Sequence, residues 1–355
     1  MAQKEKNTIK EIEKIWSEKY WEKEAERIEL KYWEIIKHKI PNVSPPKELE
    51  KTEHRIETFV RSLSRKHRIG NLHVGLTSSD LEDNIRIKRI EECMVMVQSD
   101  LGEVYKTIYK ITPSKNTLIA YTHLLPASIT TFLDRFKPTI VAHVDAKPPI
   151  IRHKGIGGAI GDGQAIIQMG IDIKMVNEII FPDKIMQSFS SQTVNHLTEY
   201  NVASWLCFQA SLMAKIANDF RQMFAFGQAR HTQQDIGSTA IAGKKPNPWQ
   251  FERVSGRANL LYELPGRIAK ITADCLLERT LTNQSVLNYS FRESFLIFAD
   301  MIQCLKEAIE KTEIIDQTEE CKKEQYHSEE QMINLILRGL PREEAHKKIN
   351  VKYLL

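Results

Sequence analysis

Apolar positions recur at helical spacing along most of the chain. Between residues 8 and 38, Ile12, Ile15, Trp16, Tyr20, Ile28, Leu30, Trp33 and Ile36 stand among Glu and Lys, which predicts helix with one solvated face. Pro41, Pro45 and Pro46 end that pattern, and a second helix is predicted from about 51 to 66, stopped by Gly70-Asn71. From about 81 to 111 the chain carries Ile85, Ile87, Ile90, Met94, Val97, Leu101, Val104 and Ile108 with no Pro before Pro113. A helix of roughly 30 residues there is about 45 Å long. The stretch from about 198 to 230 is apolar on nearly every side, with Val202, Trp205, Leu206, Phe208, Met213, Ile216, Phe220 and Phe224. Such a helix needs helical neighbours all round, and one chain of this length supplies too few, so the pattern predicts a bundle shared between subunits. Further helices are predicted from about 253 to 275, 290 to 311 and 329 to 338, the last after a strongly charged stretch. Strand-like alternation is confined to short pieces, and the predicted fold class is all-α with a central bundle of long helices.

Composition narrows the class of partner. The 355 residues are 42% hydrophobic and 27% charged, the profile of a soluble globular protein. With 50 basic against 46 acidic residues the formal charge is +4, no excess that suggests nucleic acid or an anionic membrane. Any anionic ligand must therefore be held by locally placed groups. No apolar run reaches the length of a membrane span, and the N-terminal stretch lacks the apolar core of a secretory signal. Cys93, Cys207, Cys275, Cys304 and Cys321 are widely spaced, with no CxxC pair and no metal-ligand spacing. Buried thiols in a reducing compartment are expected, and with them a cytoplasmic location.

Several loops carry chemistry. Gly237-Ser238-Thr239-Ala240-Ile241-Ala242-Gly243-Lys244-Lys245-Pro246-Asn247-Pro248, followed by Glu252 and Arg253, gathers hydroxyls, lysines and helix-breaking residues. A loop of this kind can bring a hydroxyl, backbone N–H groups and an ammonium to one small anion, as removal of a proton beside a carboxylate requires. His73 with Thr77, Ser78 and Asp80 opens the helix predicted from 81, where hydroxyls cap the helix or bind a carboxylate or phosphate. In Tyr121-Thr122-His123-Leu124-Leu125-Pro126 the histidine falls near a turn or helix start, and His54 is flanked by Glu53 and Arg55. Five glycines fall in nine positions from Gly155 to Gly163, just before Gln164, without the strand and βαβ context of a dinucleotide fingerprint. They form either a connector or a loop facing a ligand.

Taken in order, these segments resemble the aspartase and fumarase superfamily. The 237–248 loop is similar to its GSSxMPxKxNP signature, with Ser238 at the catalytic serine and Lys244 at the lysine spacing. His73 to Ser78 resembles the HxGxTS segment, continued by Asp83-Asn84. Thr122-His123 with Pro126-Ala127 resembles THxQPA, and Glu278-Arg279-Thr280-Leu281 is a further family-like string. The resemblance runs from about residue 16 to about 349. It implies a homotetramer with active sites built from three subunits, and release of fumarate from a succinyl-amine substrate without a metal or organic cofactor. Ser238 is then the general base, His123 the general acid with His54 in support, and Lys244 and Asn247 hold carboxylates. Thr77 and Ser78 hold the succinyl or phosphate portion, and Gln164, Gln192, Arg253 and Arg279 further parts; His73, Thr122 and Glu252 complete the expected set. On this basis the chain divides into an N-terminal helical domain (1–84), the bundle with its signature loop (85–312) and a short C-terminal helical domain (313–355).

The departures bear on substrate. Ile241 and Ala242 replace the signature's Met and Pro, Pro246 reads as an insertion, and Glu53-His54-Arg55 replaces Arg-His-Asp. The glutamine expected after the catalytic histidine is Leu125, and an N-terminal Arg-Tyr pair is represented by Lys6-Asn7. Beyond Leu281, Gln284 and Asn288 stand where the family has a serine and an arginine that grip the substrate's phosphate. Each charge-assisted bond to phosphate is worth roughly 1.5 to 3 kcal/mol, so loss of two arginines implies a different substrate or a rebuilt grip from Arg292 or Lys245. Three readings result: a lyase of this superfamily on a phosphorylated substrate, one on a succinylated amine without phosphate, or a helical assembly that has lost turnover.

Overall fold

The computed structural model describes residues 2–47, 52–111, 116–232, 247–278 and 282–353. Helices dominate, as the apolar spacing predicts. In chain order they are α1 (Ala2–Ile15), α2 (Glu18–Ile36), α3 (Arg55–His67), α4 (Ser78–Lys110), α5 (Phe132–Asp145), α6 (Gln164–Gln168), α7 (Ile173–Ile180), α8 (Leu197–Ala225), α9 (Trp249–Tyr262), α10 (Leu264–Ala273), α11 (Thr282–Glu310), α12 (Thr318–Cys321), α13 (Ser328–Leu337) and α14 (Arg342–Tyr353). Among the described residues the strands are short: β1 (Thr117–Thr122) pairs antiparallel with β2 (Leu125–Thr131), and β3 (Ala229–His231) pairs antiparallel with β4 (Thr312–Ile314). No helix among the described residues is long and apolar enough to cross a membrane. All five cysteines are free, with Cys93, Cys304 and Cys321 buried.

The chain divides into two compact units. The first takes residues 1–100, 148–210 and 259–300, and the second takes 101–147, 211–258 and 301–355. The core of the first packs Trp21, Ile28, Tyr32 and Trp33 of α2 with Leu81 and Ile85 of α4, Ile166 of α6, and Val176 and Ile180 of α7. The second is organised by aromatic rings: Phe136 meets Phe132 at 4.7 Å and Phe220 at 5.1 Å, and Phe220 stacks on Phe251 at 4.9 Å. Tyr121 of β1 stacks on Phe226 at 4.0 Å and leans on Cys321 and Tyr326 through a small satellite cluster.

Two long patterns resolve into shorter helices for local reasons. The single helix expected over 8–38 breaks at Ser17, whose hydroxyl accepts the Tyr20 N–H at 3.2 Å and donates to the Lys14 carbonyl at 2.6 Å. This N-cap starts a new helix with Glu18 in its first turn. The pattern over 253–275 breaks at Glu263, where Pro265 lies at the start of α10, the position that least needs an N–H. In the last helical stretch the chain forms α13 over the expected segment and adds α14 behind it, with α14 packed on α13.

Candidate active site

In the first unit the loop before α4 is tied down residue by residue. His73 adopts φ +66 and places Nδ1 2.5 Å from Oε1 of the buried Glu29 of α2. Burial by itself would lower the imidazole pKa, but the Glu29 hydrogen bond and charge raise it above the ordinary value. Thr77 and Asp80 form a reciprocal cap: the Thr77 N–H and hydroxyl reach Asp80 Oδ2 at 2.8 and 3.3 Å, and the Asp80 N–H donates to the Thr77 carbonyl at 3.0 Å. Ser78, the first residue of α4, is buried beside it.

The glycine run closes onto this loop. Asp80 Oδ1 also accepts Lys154 Nζ at 2.5 Å and the Gly157 N–H at 2.9 Å, while Oδ2 accepts the Gly158 N–H at 3.2 Å. Asn84 exchanges both amide atoms with Gly155 at 2.9 Å, and Asn177 accepts the Ile156 N–H at 2.6 Å. Residues 153–158 are buried, so the run is a packed connector rather than an open loop. Its glycines answer close approaches: a Cβ on Gly158 would lie 2.9 Å from the Gly75 carbonyl, and one on Gly161 would lie 2.1 Å from the Ser190 carbonyl, both at positive φ. Gly75 in turn faces the Ala165 methyl, next to exposed Gln164 at the start of α6, and Gln192 Nε2 donates to the Ala159 carbonyl at 3.0 Å. His73, Thr77, Ser78, Gln164 and Gln192, scattered in sequence, thus border one knot of backbone. Glu29, Lys154 and Asn177 of this knot escape sequence reasoning; a lone lysine ahead of five glycines is the one visible hint.

His54, also in this unit, is the N-cap of α3, its Nδ1 accepting the Glu57 N–H at 3.3 Å from an exposed position. Beside the knot lies a second network, buried except for half-buried Gln284. Buried Arg86 donates to Asp83 at 2.7 Å, to Glu199 at 3.2 Å and to Gln284 Oε1 at 2.7 Å, and Gln284 Nε2 donates back to Asp83 at 2.8 Å. Burial alone would raise the Glu199 carboxyl, but the His196 hydrogen bond and the Arg86 charge hold it at about 2. Gln284 is therefore engaged inside the protein through both ends of its amide.

Thr122, His123, Asn247, Glu252 and Arg253 belong to the second unit. His123 and Leu124 form the two-residue tip of the β1–β2 hairpin, at φ +51 and +63, and both are exposed. Positive φ at both central residues is the backbone of a type I′ hairpin turn, whose twist matches the flanking strands. The turn expected near His123 is thus a strand turn. Asn247 is exposed just before α9, Glu252 pairs with Arg221 at 3.5 Å, and Arg253 follows on an exposed face of α9. Ser238, Lys244 and Arg279 lie outside the described residues.

This helical chain has the fold of the fumarate lyase superfamily. It superposes on a fumarate lyase from Mesorhizobium sp. BNC1 with a TM-score of 0.76 at 15% identity, covering 96% of this chain and 85% of that one. It superposes on a β-carboxy-cis,cis-muconate cycloisomerase from Acinetobacter calcoaceticus with a TM-score of 0.73 at 17% identity and the same coverage. In sequence the chain is similar to adenylosuccinate lyases. That of Pyrococcus abyssi is 26% identical over 308 residues, 78% of this chain and 65% of the relative. That of Methanocaldococcus jannaschii is 26% identical over 326 residues, 85% of this chain and 69% of the relative. The chain spans 65% of the length of the Pyrococcus relatives it matches. No family model matches the chain.

Proposed function

We propose that the protein is a carbon–nitrogen lyase that cleaves adenylosuccinate to AMP and fumarate, and releases fumarate from the succinyl-aminoimidazole carboxamide ribotide, in purine nucleotide biosynthesis. The observation that carries this reading is the similarity to adenylosuccinate lyases along 78% of the chain. The matching motifs in their order add to it. In the proposed reaction Ser238 removes the proton on carbon beside a carboxylate, and the intermediate's added charge is met by backbone N–H groups, Lys244 and Asn247. A serine hydroxyl is a weak base unless a cationic surrounding favours its ionised form, which the lysines of the same loop supply. His123 protonates the departing nitrogen, a role suited to an imidazole near neutral pH, and His54 assists. The bound substrate is held by His73, Thr77, Ser78, Thr122, Gln164, Gln192, Glu252, Arg253 and Arg279. The chemistry calls for no metal or organic cofactor, and the working form is a cytoplasmic homotetramer with shared sites. Exposed Leu197, Tyr200 and Phe208 on α8 support that assembly.

One observation favours a second reading, a lyase of the same superfamily acting on a succinyl-amine without phosphate. Gln284, at the position where the family grips phosphate, has its amide engaged with Arg86 and Asp83. Ultraviolet absorbance with adenylosuccinate separates the readings. Turnover by the native protein that drops by at least about 100-fold in Ser238→Ala supports the first. Fumarate released only from non-phosphorylated succinyl compounds supports the second, and a folded protein inert toward the whole class would leave a binding or structural homologue.

A further inference from the structure

We propose that Lys154 is a positioning residue: acting through Asp80, it fixes the turn of Thr77 and Ser78 at the start of α4, where the substrate's carboxylate or phosphate is held. That the turn holds an anion rests on the reaction proposed above; how the turn is fixed does not. Lys154 has no exposed side-chain surface, a rare state for a lysine unless it is paired. Among the described residues its ion-pair partner is Asp80, also wholly buried, at 2.5 Å. Five donors converge on the Asp80 carboxylate: the Lys154 ammonium, the N–H groups of Gly157, Gly158 and Thr77, and the Thr77 hydroxyl. Lys154 is the one charged group among these donors. Oδ1 serves Lys154 and Gly157, and Oδ2 bridges Gly158 to Thr77, so one carboxylate ties the glycine run to the turn.

A positioning group must itself be held, and Lys154 is. The residue before it, His153, donates its N–H to the Ile185 carbonyl and accepts the Gln187 N–H, both at 2.8 Å. The residue after it, Gly155, exchanges two hydrogen bonds with Asn84 of α4 at 2.9 Å. The ammonium is thus delivered from a stretch anchored on both sides. From the other direction α2 grips the start of the turn: the Tyr32 hydroxyl donates to the Val74 carbonyl at 2.9 Å, and Glu29 meets His73. Further along, the N–H and hydroxyl of Thr77 both find their partner in Asp80. Without the ammonium, only neutral donors remain on a wholly buried carboxylate, an unfavourable state that a shift of the Asp80 side chain toward water relieves. Such a shift moves Thr77, and with it the unpaired N–H groups that open α4.

Steady-state kinetics and amide hydrogen exchange of the whole chain test the assignment. Lys154→Met, which removes the charge and keeps most of the side chain's length, is expected to raise KM for adenylosuccinate about tenfold and to leave kcat within about twofold. Exchange followed by mass spectrometry should quicken over 74–80 and 154–159 and keep the native rate over 90–100 of α4. Asp80→Asn should give the same pattern, and the double variant should raise KM no further than either single change, because the two residues act as a unit. Lys154→Gln, which keeps a hydrogen-bond donor and loses the charge, should show the pattern in milder form and stands in if Lys154→Met does not fold. An unchanged KM, a fall in kcat alone, KM effects that multiply in the double variant, or exchange quickened equally along α4 would each overturn the proposal. If the native protein turns over neither adenylosuccinate nor a non-phosphorylated succinyl-amine, the proposed reaction fails, and the exchange pattern alone decides whether Lys154 fixes the turn.

Discussion

At the scale of single residues, the pairing of His73 with Glu29 ties an ionisation to the fold. The imidazole pKa is raised above its unfolded value, because the Glu29 carboxylate outweighs the burial that would lower it. A raised folded value means stabilisation that is fully present below the unfolded pKa, about 6.5, and lost as pH rises through the folded pKa. Glu29→Gln is therefore expected to lose more stability toward urea at about pH 5.5 than at about pH 9, with His73 titrating at lower pH by NMR. Equal losses at both pH values would assign the pair a packing role only. Part of this local picture is legible in the sequence. Thr77 and Asp80, three residues apart at a helix start, announce a cap, and the structure realises it. Glu29 lies 44 positions before His73, and nothing in its own neighbourhood marks it out from the other glutamates of α2.

At the scale of elements, Arg86 couples three long helices within the first unit. It stands on α4, reaches Glu199 on α8 and Gln284 on α11, and has no exposure of its own side chain. Removing the cation takes the guanidinium from buried Asp83 and leaves buried Glu199 with His196 alone beside it, a loss of about 3 to 5 kcal/mol. Arg86→Met should therefore lower the denaturation midpoint markedly, and a change under about 1 kcal/mol would show that the helices do not depend on this charge. These three helices are the elements best read from sequence, since each repeats its apolar stripe over many turns. The breaks are harder: Ile15, Trp16 and Tyr20 continue the apolar spacing straight through Ser17, so periodicity hides the cap that ends one helix and starts the next. β3 and β4 are three residues each, too short for alternation to register, and their pairing joins segments about 80 positions apart, as Arg230 and Glu313 illustrate across the ladder. Gln284 shows the limit of motif reading. Its identity marks a departure from the family pattern, while the reason for an amide at that position becomes visible only with Asp83 and Arg86 beside it.

At the scale of the whole molecule, the proposed assembly is open to a direct measurement. Phe208 is 45% exposed on α8, close in sequence to Trp205, Leu206, Leu212 and Met213, which are buried. Light scattering of the purified chain is expected to return the mass of four copies, and Phe208→Asp to shift the population toward smaller species while the helical circular dichroism is kept. A monomer at micromolar concentration would contradict the shared-bundle reading. A different consequence comes from the way the two compact units are threaded. The chain passes from one to the other after residues 100, 147, 210, 258 and 300, so each unit is assembled from three separated stretches. No single cut of the backbone can release either unit as one continuous piece. A newly made chain cannot complete the first unit until residue 300 has been synthesised, by which point two of the three stretches of the second are already present.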